Sequence, residues 1–437
     1  MVRLFFILFL LPVMTVGQVG FFSNTSKFHV PGRNDPNVSA TSIRGAMTYE
    51  NEVYYDSKRN ITYCSFSSDS IQKGFTALGF NHNTKNLSEL NFFPFSGAYD
   101  THMRGGFFLL KNGDVLVHRT ERHNDPFRTW TGDGVENVVD NGLSGDTTAY
   151  IATYYLQDSL YLYCRATLFN GPDTIKNRIF KSSDNGQSWS MFHDVLNLGN
   201  ANSIAPYPTV IADNYNQSIV YYFCNERRFI VTDSVNFYRI FGLKSTDNVT
   251  FSNLEGSFST TSEINYSTLL DTFVVDQCSD SLRHYMKICG AFVDENDDLF
   301  FTYFDTEASR FYFSTLINDT ITTKEIPSIR PTIPTGSFLN MINDFCQIIP
   351  KGGDSYDLIV YTNSSGVVNK YSTTDAFDTI SAPTQISPKN FTPTIFRGPL
   401  NYIPNRGNPY TVWISGVYDG ITDQESVFVY EYYPDQE

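Results

Sequence analysis

The chain has 437 residues, 41% of them hydrophobic and 18% charged, with a formal net charge of −15. This acidic balance argues against a nucleic-acid partner and is typical of a surface that keeps a protein in solution. A chain this long often folds as two or more domains, but a repeat along it points to one.

The first element in chain order is a targeting segment. Arg3 gives it a positive start, Leu4 to Met14 is an apolar run, and Thr15 to Gly17 supplies small residues for cleavage. The pattern predicts a secretory signal peptide over residues 1–17, followed by a single domain over 18–437. No other stretch approaches the roughly 18 apolar residues of a membrane helix, so we expect a secreted protein without a transmembrane segment.

Glycosylation sequons and cysteines agree with export. Six cysteines, an even number, suit an oxidising compartment, and Cys278 and Cys289 are close enough in sequence to staple one loop by a disulfide. Ten Asn-x-Ser/Thr sequons are predicted glycosylation sites, each needing an exposed position. They are Asn24, Asn37, Asn60, Asn86, Asn216, Asn248, Asn265, Asn318, Asn363 and Asn390.

One pattern recurs seven times: a short apolar strand, a tight polar turn and a second strand rich in Tyr, Phe, Val and Leu. The spacing averages about 59 residues, which is typical of a β-propeller with several strands per repeat. The turns lie at Asn51-Glu52, Asn112-Gly113-Asp114, Gln157-Asp158-Ser159, Asn214-Tyr215-Asn216, Asn296-Asp297-Asp298, Lys351-Gly352-Gly353 and Asn405-Arg406-Gly407.

The strands after these turns are continuous apolar runs, which suit strands covered on both faces. Helix signals are nearly absent, so the predicted class is an all-β propeller. Seven blades are favoured; six remain the alternative if a short unit, such as the one at Gln157, belongs to its neighbour. Residues 26–30 are expected to close the ring by pairing with the last unit, which leaves no exposed sheet edge. Residues 255–285 exceed the period and are expected to form an inserted loop.

The third unit contains the most specific motif, Ser182-x-Asp184-x-Gly186-x-Ser188-Trp189. Asp184 can accept bonds from backbone amides across a hairpin, Gly186 suits a positive φ, and Trp189 can bury a large ring under the turn. The motif closely resembles the Asp-box of the sialidase-type (BNR-repeat) propellers. In that superfamily it is structural and lies away from the active site.

The resemblance implies a carbohydrate ligand, since sialidases bind a sugar carboxylate with three arginines. Arg44, Arg104 and Arg397 each precede a glycine, and each is expected just before the first strand of its unit. Ring closure would make those units neighbours and bring the three side chains to one mouth of the channel. The alternative is that these arginines pair with structural carboxylates.

Hydrolysis would further need an acid/base carboxylate and a tyrosine nucleophile. Asp100 is the best acid/base candidate, with Asp146 in the matching place one unit later, and Tyr402 is a possible nucleophile. Each residue can instead serve a turn or the core. We therefore expect a secreted propeller that binds a glycan or a cell-surface glycoprotein, with an exo-glycosidase of sialidase type as the alternative.

Other chemistries find no support in the sequence. The seven histidines lack metal-ligand spacing, and the acidic stretch from Asp294 to Asp298 is read as a solvated hairpin turn rather than a calcium site. No cofactor and no metal are predicted.

Overall fold

The computed structural model describes residues 28–29, 53–68, 74–94, 105–120, 126–168, 174–200, 204–212, 218–231, 234–278, 286–331, 345–362, 367–386, 391–397, 410–418 and 425–432. Over these ranges the chain forms β-strands arranged as a β-propeller, with one α-helix and one turn of 3-10 helix at Val135–Asn137.

The strands fall into six hydrogen-bonded sheets. The first contains β2 (Val53–Asp56), β3 (Ile61–Ser68), β4 (Gly74–Asn81) and β5 (Asn86–Pro94). The second contains β6 (Gly105–Leu109), β7 (Val115–Arg119), β8 (Pro126–Gly132), β9 (Val139–Leu156), β10 (Ser159–Leu168), β11 (Thr174–Ser182), β12 (Ser190–Asn200) and β18 (Ile264–Asn265). The third contains β13 (Ile204–Ile211), β14 (Val220–Val231), β15 (Ser234–Ser245), β16 (Phe251–Asn253), β17 (Ser259–Thr260) and β19 (Val274–Gln277).

The remaining three sheets have four strands each. The fourth contains β20 (Met286–Val293), β21 (Leu299–Asp305), β22 (Arg310–Ile317) and β23 (Thr320–Ile326). The fifth contains β24 (Phe345–Gly352), β25 (Ser355–Tyr361), β26 (Val368–Thr373) and β27 (Thr384–Gln385). The sixth contains β28 (Phe391–Arg397), β29 (Tyr410–Tyr418), β30 (Glu425–Tyr432) and β1 (Phe28–His29).

The prediction of seven blades is wrong, because the structure has six sheets. The cause is β9, an 18-residue strand whose first part pairs with β8 and whose second part pairs with β10. No turn interrupts it, so the unit at Gln157 is continuous with the unit before it. Each turn in the sequence marks a hairpin, so the number of turns does not give the number of sheets. Here two four-strand units share the strand β9.

The N-terminal strand confirms the pairing that was expected of residues 26–30. β1 lies antiparallel to β30, with Phe28 opposite Val427 and His29 opposite Ser426. It thereby supplies the fourth strand of a sheet whose other strands all come from the C-terminal end of the chain.

The predicted insertion is not a plain loop. It contains β17, β18, the helix α1 (Tyr266–Thr272) and β19. Asn265 caps α1 by accepting a hydrogen bond from the Thr268 amide at 3.0 Å. β18 pairs with β12 of the second sheet and β19 with β15 of the third, so the insertion joins two neighbouring sheets at their outer side.

The core lies between facing sheets, as the continuous apolar runs predict. β7 and β20 are buried along their whole length, and the first strands of successive units contact one another, β2 with β6, β9 with β13 and β20 with β24. These contacts identify the first strand of each unit as the inner one. Charged side chains at the start of an inner strand, or at the end of the second strand, therefore lie at one common end of the propeller.

We call this the upper end, and the opposite end, which carries the hairpin turns between first and second strands, the lower end. The third-to-fourth strand turns, such as Ser182–Trp189, also lie at the lower end. Gly113 in one of the lower turns has φ +86° and donates to the Leu110 carbonyl at 2.8 Å, as its Asn-Gly-Asp sequence predicts.

The predicted disulfide between Cys278 and Cys289 is not formed. All six cysteines of the chain are buried thiols. Cys278 packs into one apolar cluster, with Met286 and Ile288, whereas Cys289 packs into another, with Phe292 and Cys346. Closeness in sequence failed as a guide because the two side chains enter different layers of the core.

The described sequons differ in exposure. Asn86, Asn265 and Asn318 are exposed and Asn60 is half-buried, so glycosylation there remains a prediction. Asn248 is fully buried, and its amide oxygen accepts hydrogen bonds from the hydroxyls of Tyr154 and Tyr222. A glycan at Asn248 would have to displace both tyrosines, so this predicted site is corrected. The other five sequons, Asn24, Asn37, Asn216, Asn363 and Asn390, lie outside the described residues.

Candidate functional site

The residues predicted to carry chemistry are mostly beyond the described part of the chain. Arg44, Asp100, Arg104 and Tyr402 lie outside it. Arg397 is described as the last residue of β28, opposite Trp413. It was expected to precede the first strand of its unit, and that expectation is wrong, because the strand begins at Phe391. Arg397 thus lies at the lower end of its strand. Asp146 lies within β9, in the part that leads from β8 to β10.

The upper end instead collects buried charge from three successive units. Arg119 on β7 is 1% exposed, Arg165 on β10 is 4% exposed, and Glu226 on β14 is 0% exposed. Their cross-strand partners are residues of the inner strands, Gly105, Ala149 and Pro206 respectively. Charged side chains are rarely buried this far unless they are held by specific partners, so each position needs its own account.

The Arg165 guanidinium lies against two adjacent tyrosine rings. Its guanidinium carbon lies 4.5 Å from the ring centroid of Tyr150 and 5.5 Å from that of Tyr207, and the two rings are 4.9 Å apart at 58°. Cation–π attraction of this kind favours a desolvated guanidinium. The N–H donors of a guanidinium lie in one plane, which is the geometry that binds carboxylates and sulfates in a bidentate way.

The backbone puts Tyr150 there by a local irregularity. The ladder between β9 and β10 shifts register between Tyr163 and Arg165, and Tyr150 adopts φ +58° at this bulge. A bulge leaves an extra residue and re-aims its side chain, and a positive φ is rare for a bulky residue. Such strain is concentrated at functional sites in proteins generally.

Glu226 anchors a polar network next to this cluster. Its carboxylate accepts from the Tyr266 hydroxyl at 2.6 Å and from the Arg239 guanidinium at 3.1 Å, and Arg239 Nε donates to Gln277 at 2.7 Å. Tyr266 and Gln277 both belong to the insertion. The network therefore fixes the insertion to the upper end of the third sheet.

The two parts of the upper end share one electrostatic environment. The pKa of Cys224 is raised, mainly because burial disfavours the thiolate and also because Glu226 is negative, while Arg165 acts in the opposite direction. The charges of Arg165 and Glu226 thus act on the same thiol, that of Cys224. β13 connects the two, because it pairs with the strand of Glu226 and carries Tyr207, which contacts Arg165.

The third part of the upper end is structural. The guanidinium of Arg119 donates to the carbonyls of Pro94 at 2.6 Å and Phe93 at 3.1 Å and lies over the Trp130 ring. His118 beside it is fully buried, and burial lowers its pKa to about 3, so its imidazole is neutral at physiological pH. His118 Nδ1 lies 3.1 Å from the Thr153 hydroxyl.

The motif at Ser182–Trp189 is at the other, lower end and makes the contacts of a turn. Asp184 accepts from the backbone and hydroxyl of Ser188, at 2.8 and 2.5 Å, and Ser182 Oγ accepts from the Gly186 amide at 2.8 Å. Gly186 has φ +81°, and the Trp189 indole donates to its carbonyl at 3.1 Å. These bonds bring no group toward a ligand, so the turn is a structural element.

The same turn is built at two further positions with different residues. Asp247 accepts from the amides of Val249 and Thr250. Asp375 accepts from the Thr379 amide and hydroxyl, and these bonds lower the pKa of Asp375 to about 2. Hydrogen bonds that favour the charged carboxylate account for the direction of that shift.

No metal centre is found within the described ranges, where no three His, Cys, Asp or Glu side chains are placed to hold an ion. In the acidic turn, Asp294 Oδ1 accepts from the Asn296 and Asp298 amides, both at 2.9 Å. Its oxygens therefore close the hairpin. In the same described ranges no helix has the length and hydropathy needed to cross a membrane.

The sequence did not identify Tyr150, Arg165 or Tyr207 as site residues. The one available signal was Arg165 itself, a charged residue inside the apolar run of β10. Tyr150 and Tyr207 lie in strands where aromatic residues also fill the core, so their type carries no separate information.

Comparison with solved structures identifies the fold. The chain superposes on a polysaccharide lyase, a PL25 ulvan lyase solved bound to -[GlcA(1-4)Rha3S]-, with a TM-score of 0.63, 9% identity and 95% of each chain covered. It superposes on the polysaccharide lyase Uly1 with a TM-score of 0.55, 12% identity and 87% and 90% coverage. At such identities the likeness shows the propeller fold alone. No protein-family model and no curated protein sequence matches the chain.

Proposed function

We propose that this protein binds an acidic glycan at the upper end of the propeller, with Arg165 as the anion-recognising residue and Tyr150 and Tyr207 as its support. The observation that carries the proposal is the contact of one buried guanidinium with two adjacent aromatic rings. Aromatic faces pack against the apolar faces of sugar rings, and the guanidinium supplies the charge-assisted hydrogen bonds that a uronate or sulfate needs.

The overall charge makes this site selective. A chain of net charge −15 repels polyanions over most of its surface, so an acidic glycan gains little from non-specific attraction. Recognition then depends on the few buried cations of the upper end. We expect binding to be specific to the position of the acid group and only moderately sensitive to salt, because buried charges are screened less than exposed ones.

The fold neighbour supports the class of ligand. The ulvan lyase of similar fold was solved with a glycan that contains glucuronate and sulfated rhamnose. A propeller of similar fold therefore accommodates an acidic glycan, and Arg165 is a group of the described upper end that is suited to a carboxylate.

A second candidate function is cleavage of that glycan by β-elimination. The step removes the proton next to the uronate carboxylate, forms a carbon–carbon double bond and releases the neighbouring sugar as an alcohol. It needs a cation at the carboxylate, a base for the proton and an acid for the leaving oxygen. The contact of two tyrosine side chains with Arg165 is the observation that favours it. The predicted sialidase-type hydrolysis has no such support, because Asp100 and Tyr402 lie outside the described residues.

We also propose that the protein is secreted after removal of residues 1–17. The support is the sequence pattern of the N-terminal segment together with the exposed sequons at Asn86, Asn265 and Asn318. Expression in a eukaryotic secretory host tests it. A medium protein that begins near Gln18 agrees with the proposal, and retention of the full chain inside the cell contradicts it.

The binding test compares two cation–π pairs. Arg165→Gln should weaken binding of a glucuronate-containing oligosaccharide at least tenfold in calorimetry, since it removes the charge-assisted bonds. Lys181→Gln is the matched control, because Lys181 lies over Tyr161 and Phe192 at the lower end. Equal loss in both variants, or tighter binding of a neutral glycan, contradicts the proposal.

The cleavage test uses the product's spectrum. Elimination creates an unsaturated uronate that absorbs in the ultraviolet, whereas hydrolysis does not. Tyr150→Phe and Tyr207→Phe keep the rings over Arg165 and remove the phenol groups. Binding without absorbance in the wild type leaves the binding proposal intact and removes the lyase proposal. A fluorogenic sialoside that is turned over would favour the sialidase alternative instead.

A further inference from the structure

Two buried thiols lie on neighbouring inner strands of the fourth and fifth sheets. Cys289 is on β20 and is 1% exposed, and Cys346 is on β24 and is 0% exposed. Both side chains belong to the same apolar cluster, with Phe292 and Ile348. This pairing differs from the predicted Cys278–Cys289 disulfide, whose members pack into separate clusters.

The backbones of these two strands approach very closely at the thiols. A Cβ added to Gly290 would lie 2.8 Å from the Cys346 carbonyl oxygen and 2.8 Å from the Gln347 Cα. Only a glycine allows such an approach. The Thr302 hydroxyl bridges the strands, since it accepts from the Gly290 amide at 3.0 Å and donates to the Cys346 carbonyl at 2.7 Å. Cys289 precedes Gly290, so it lies next to the point of contact.

A bulge at this position gives Cys289 its direction. The ladder between β20 and β21 shifts register between Ile288 and Gly290, which leaves Cys289 as the extra residue. Ile288 and Ala291 pack into the neighbouring cluster, whereas Cys289 packs into the one that holds Cys346. The thiol thus lies in the cluster that holds Cys346, near enough to raise the pKa of that residue. A disulfide needs backbones this close and two thiols in the same part of the core.

From this juxtaposition we propose that Cys289 and Cys346 form a disulfide when the protein folds in an oxidising environment, and that it cross-links the inner strands β20 and β24. The proposal is independent of the glycan site. The oxidant is a small-molecule or protein disulfide. One thiolate attacks it and releases one thiol; the second thiolate then attacks the mixed disulfide and releases the other. Two protons and two electrons leave the cysteines, and the oxidant becomes two thiols.

Burial sets the time at which this reaction occurs. The pKa of Cys346 lies well above its ordinary value because the thiolate is desolvated, and nearby Cys289 raises it further. A thiol of this kind reacts slowly once it is enclosed. We therefore expect the bond to form during folding, before the fourth and fifth sheets pack, and to resist reductants afterwards.

Peptide mapping after oxidative refolding tests the proposal. The reduced protein is refolded in a glutathione redox buffer, denatured without reductant and alkylated with iodoacetamide. We expect four alkylated cysteines and one cross-linked pair. Trypsin separates the candidates, because Lys287 and Arg310 bound the peptide of Cys289 while Lys324 and Lys351 bound that of Cys346.

Matched variants make the outcome decisive. Cys278→Ala should retain the Cys289–Cys346 peptide, whereas Cys346→Ser should leave all five remaining cysteines alkylated. Six alkylated cysteines in the wild type, or a cross-link that joins Cys278 to Cys289, would overturn the proposal. Should Cys346→Ser not fold, the wild-type peptide map alone decides.

Discussion

The two ends of the propeller use the same kinds of residue for opposite purposes. At the lower end, the carboxylates of Asp184 and Asp375 accept hydrogen bonds from backbone amides of their own turns. At the upper end, Glu226 is fully buried and its partners come from other strands and from the insertion. A carboxylate that closes its own turn is a local structural device. A carboxylate whose partners come from distant segments, such as that of Glu226, fixes the position of those segments relative to one another.

The same contrast holds for the cations. Lys58 at the lower end is half exposed beside exposed Asp133, whereas Arg165 at the upper end is buried against two tyrosine rings. Exposed pairs contribute little because water and salt compete with them. Buried ones are held in a fixed geometry and are costly to disturb. The difference predicts a graded series of mutational effects.

The largest effect is expected from Glu226→Ala. The change removes the carboxylate that faces Arg239 and Tyr266 and leaves a cation in a buried setting, which costs about 3–5 kcal/mol of unfolding free energy. Denaturant unfolding of the purified protein measures it. Glu226→Gln keeps the size and one acceptor oxygen and should lose clearly less. A loss under about 1 kcal/mol for the alanine variant would show that the upper end does not depend on this charge.

A smaller effect is expected from Asp184→Ala in the lower-end turn. It removes the acceptor for the Ser188 amide and hydroxyl while the Ser182–Gly186 bond remains. By analogy with the loss of a helix cap, we expect about 1–2 kcal/mol. Asp184→Asn keeps one acceptor and is the control. The glycan affinity should not change in either variant, and a change would place this turn in the binding surface.

These contrasts also explain what the sequence revealed. The turn of Asp184 was predictable because the hydrogen bonds of Asp184 and Ser182 join residues within a few positions, so the motif contains their partners. The insertion and the β1–β30 pair were predictable from length and from a missing strand. The cluster of Tyr150, Arg165 and Tyr207 was not, because it forms only when three strands meet. The predicted number of blades was wrong for the same reason. β9 joins two units through backbone pairing, which the residue types do not reveal.

A pH-dependent effect is expected from His118, whose folded-state pKa of about 3 is below the ordinary value because burial disfavours the imidazolium. Between about pH 6.5 and 3 the unfolded chain binds a proton that the folded chain does not, so stability falls as the pH is lowered. His118→Gln should reduce the slope of unfolding free energy in this window by up to about 1.4 kcal/mol per pH unit. Unfolding curves between pH 7 and pH 4.5 measure it, and an unchanged slope would contradict the burial argument.

The smallest effect is expected from Lys58→Ala. Lys58 Nζ lies 3.5 Å from Asp133 Oδ1, and the two side chains are 50% and 77% exposed. It also donates to the Gly113 carbonyl at 3.0 Å, again at the surface. An exposed pair of this kind contributes at most about 1 kcal/mol, and its share should shrink further when salt shortens the screening length. Unfolding at low and high salt checks both points. A loss of unfolding free energy as large as that of Glu226→Ala, or a loss that salt leaves unchanged, would contradict this prediction. Charge would then be as strongly coupled to folding at the lower end as at the upper end, and the contrast between the two ends would be wrong.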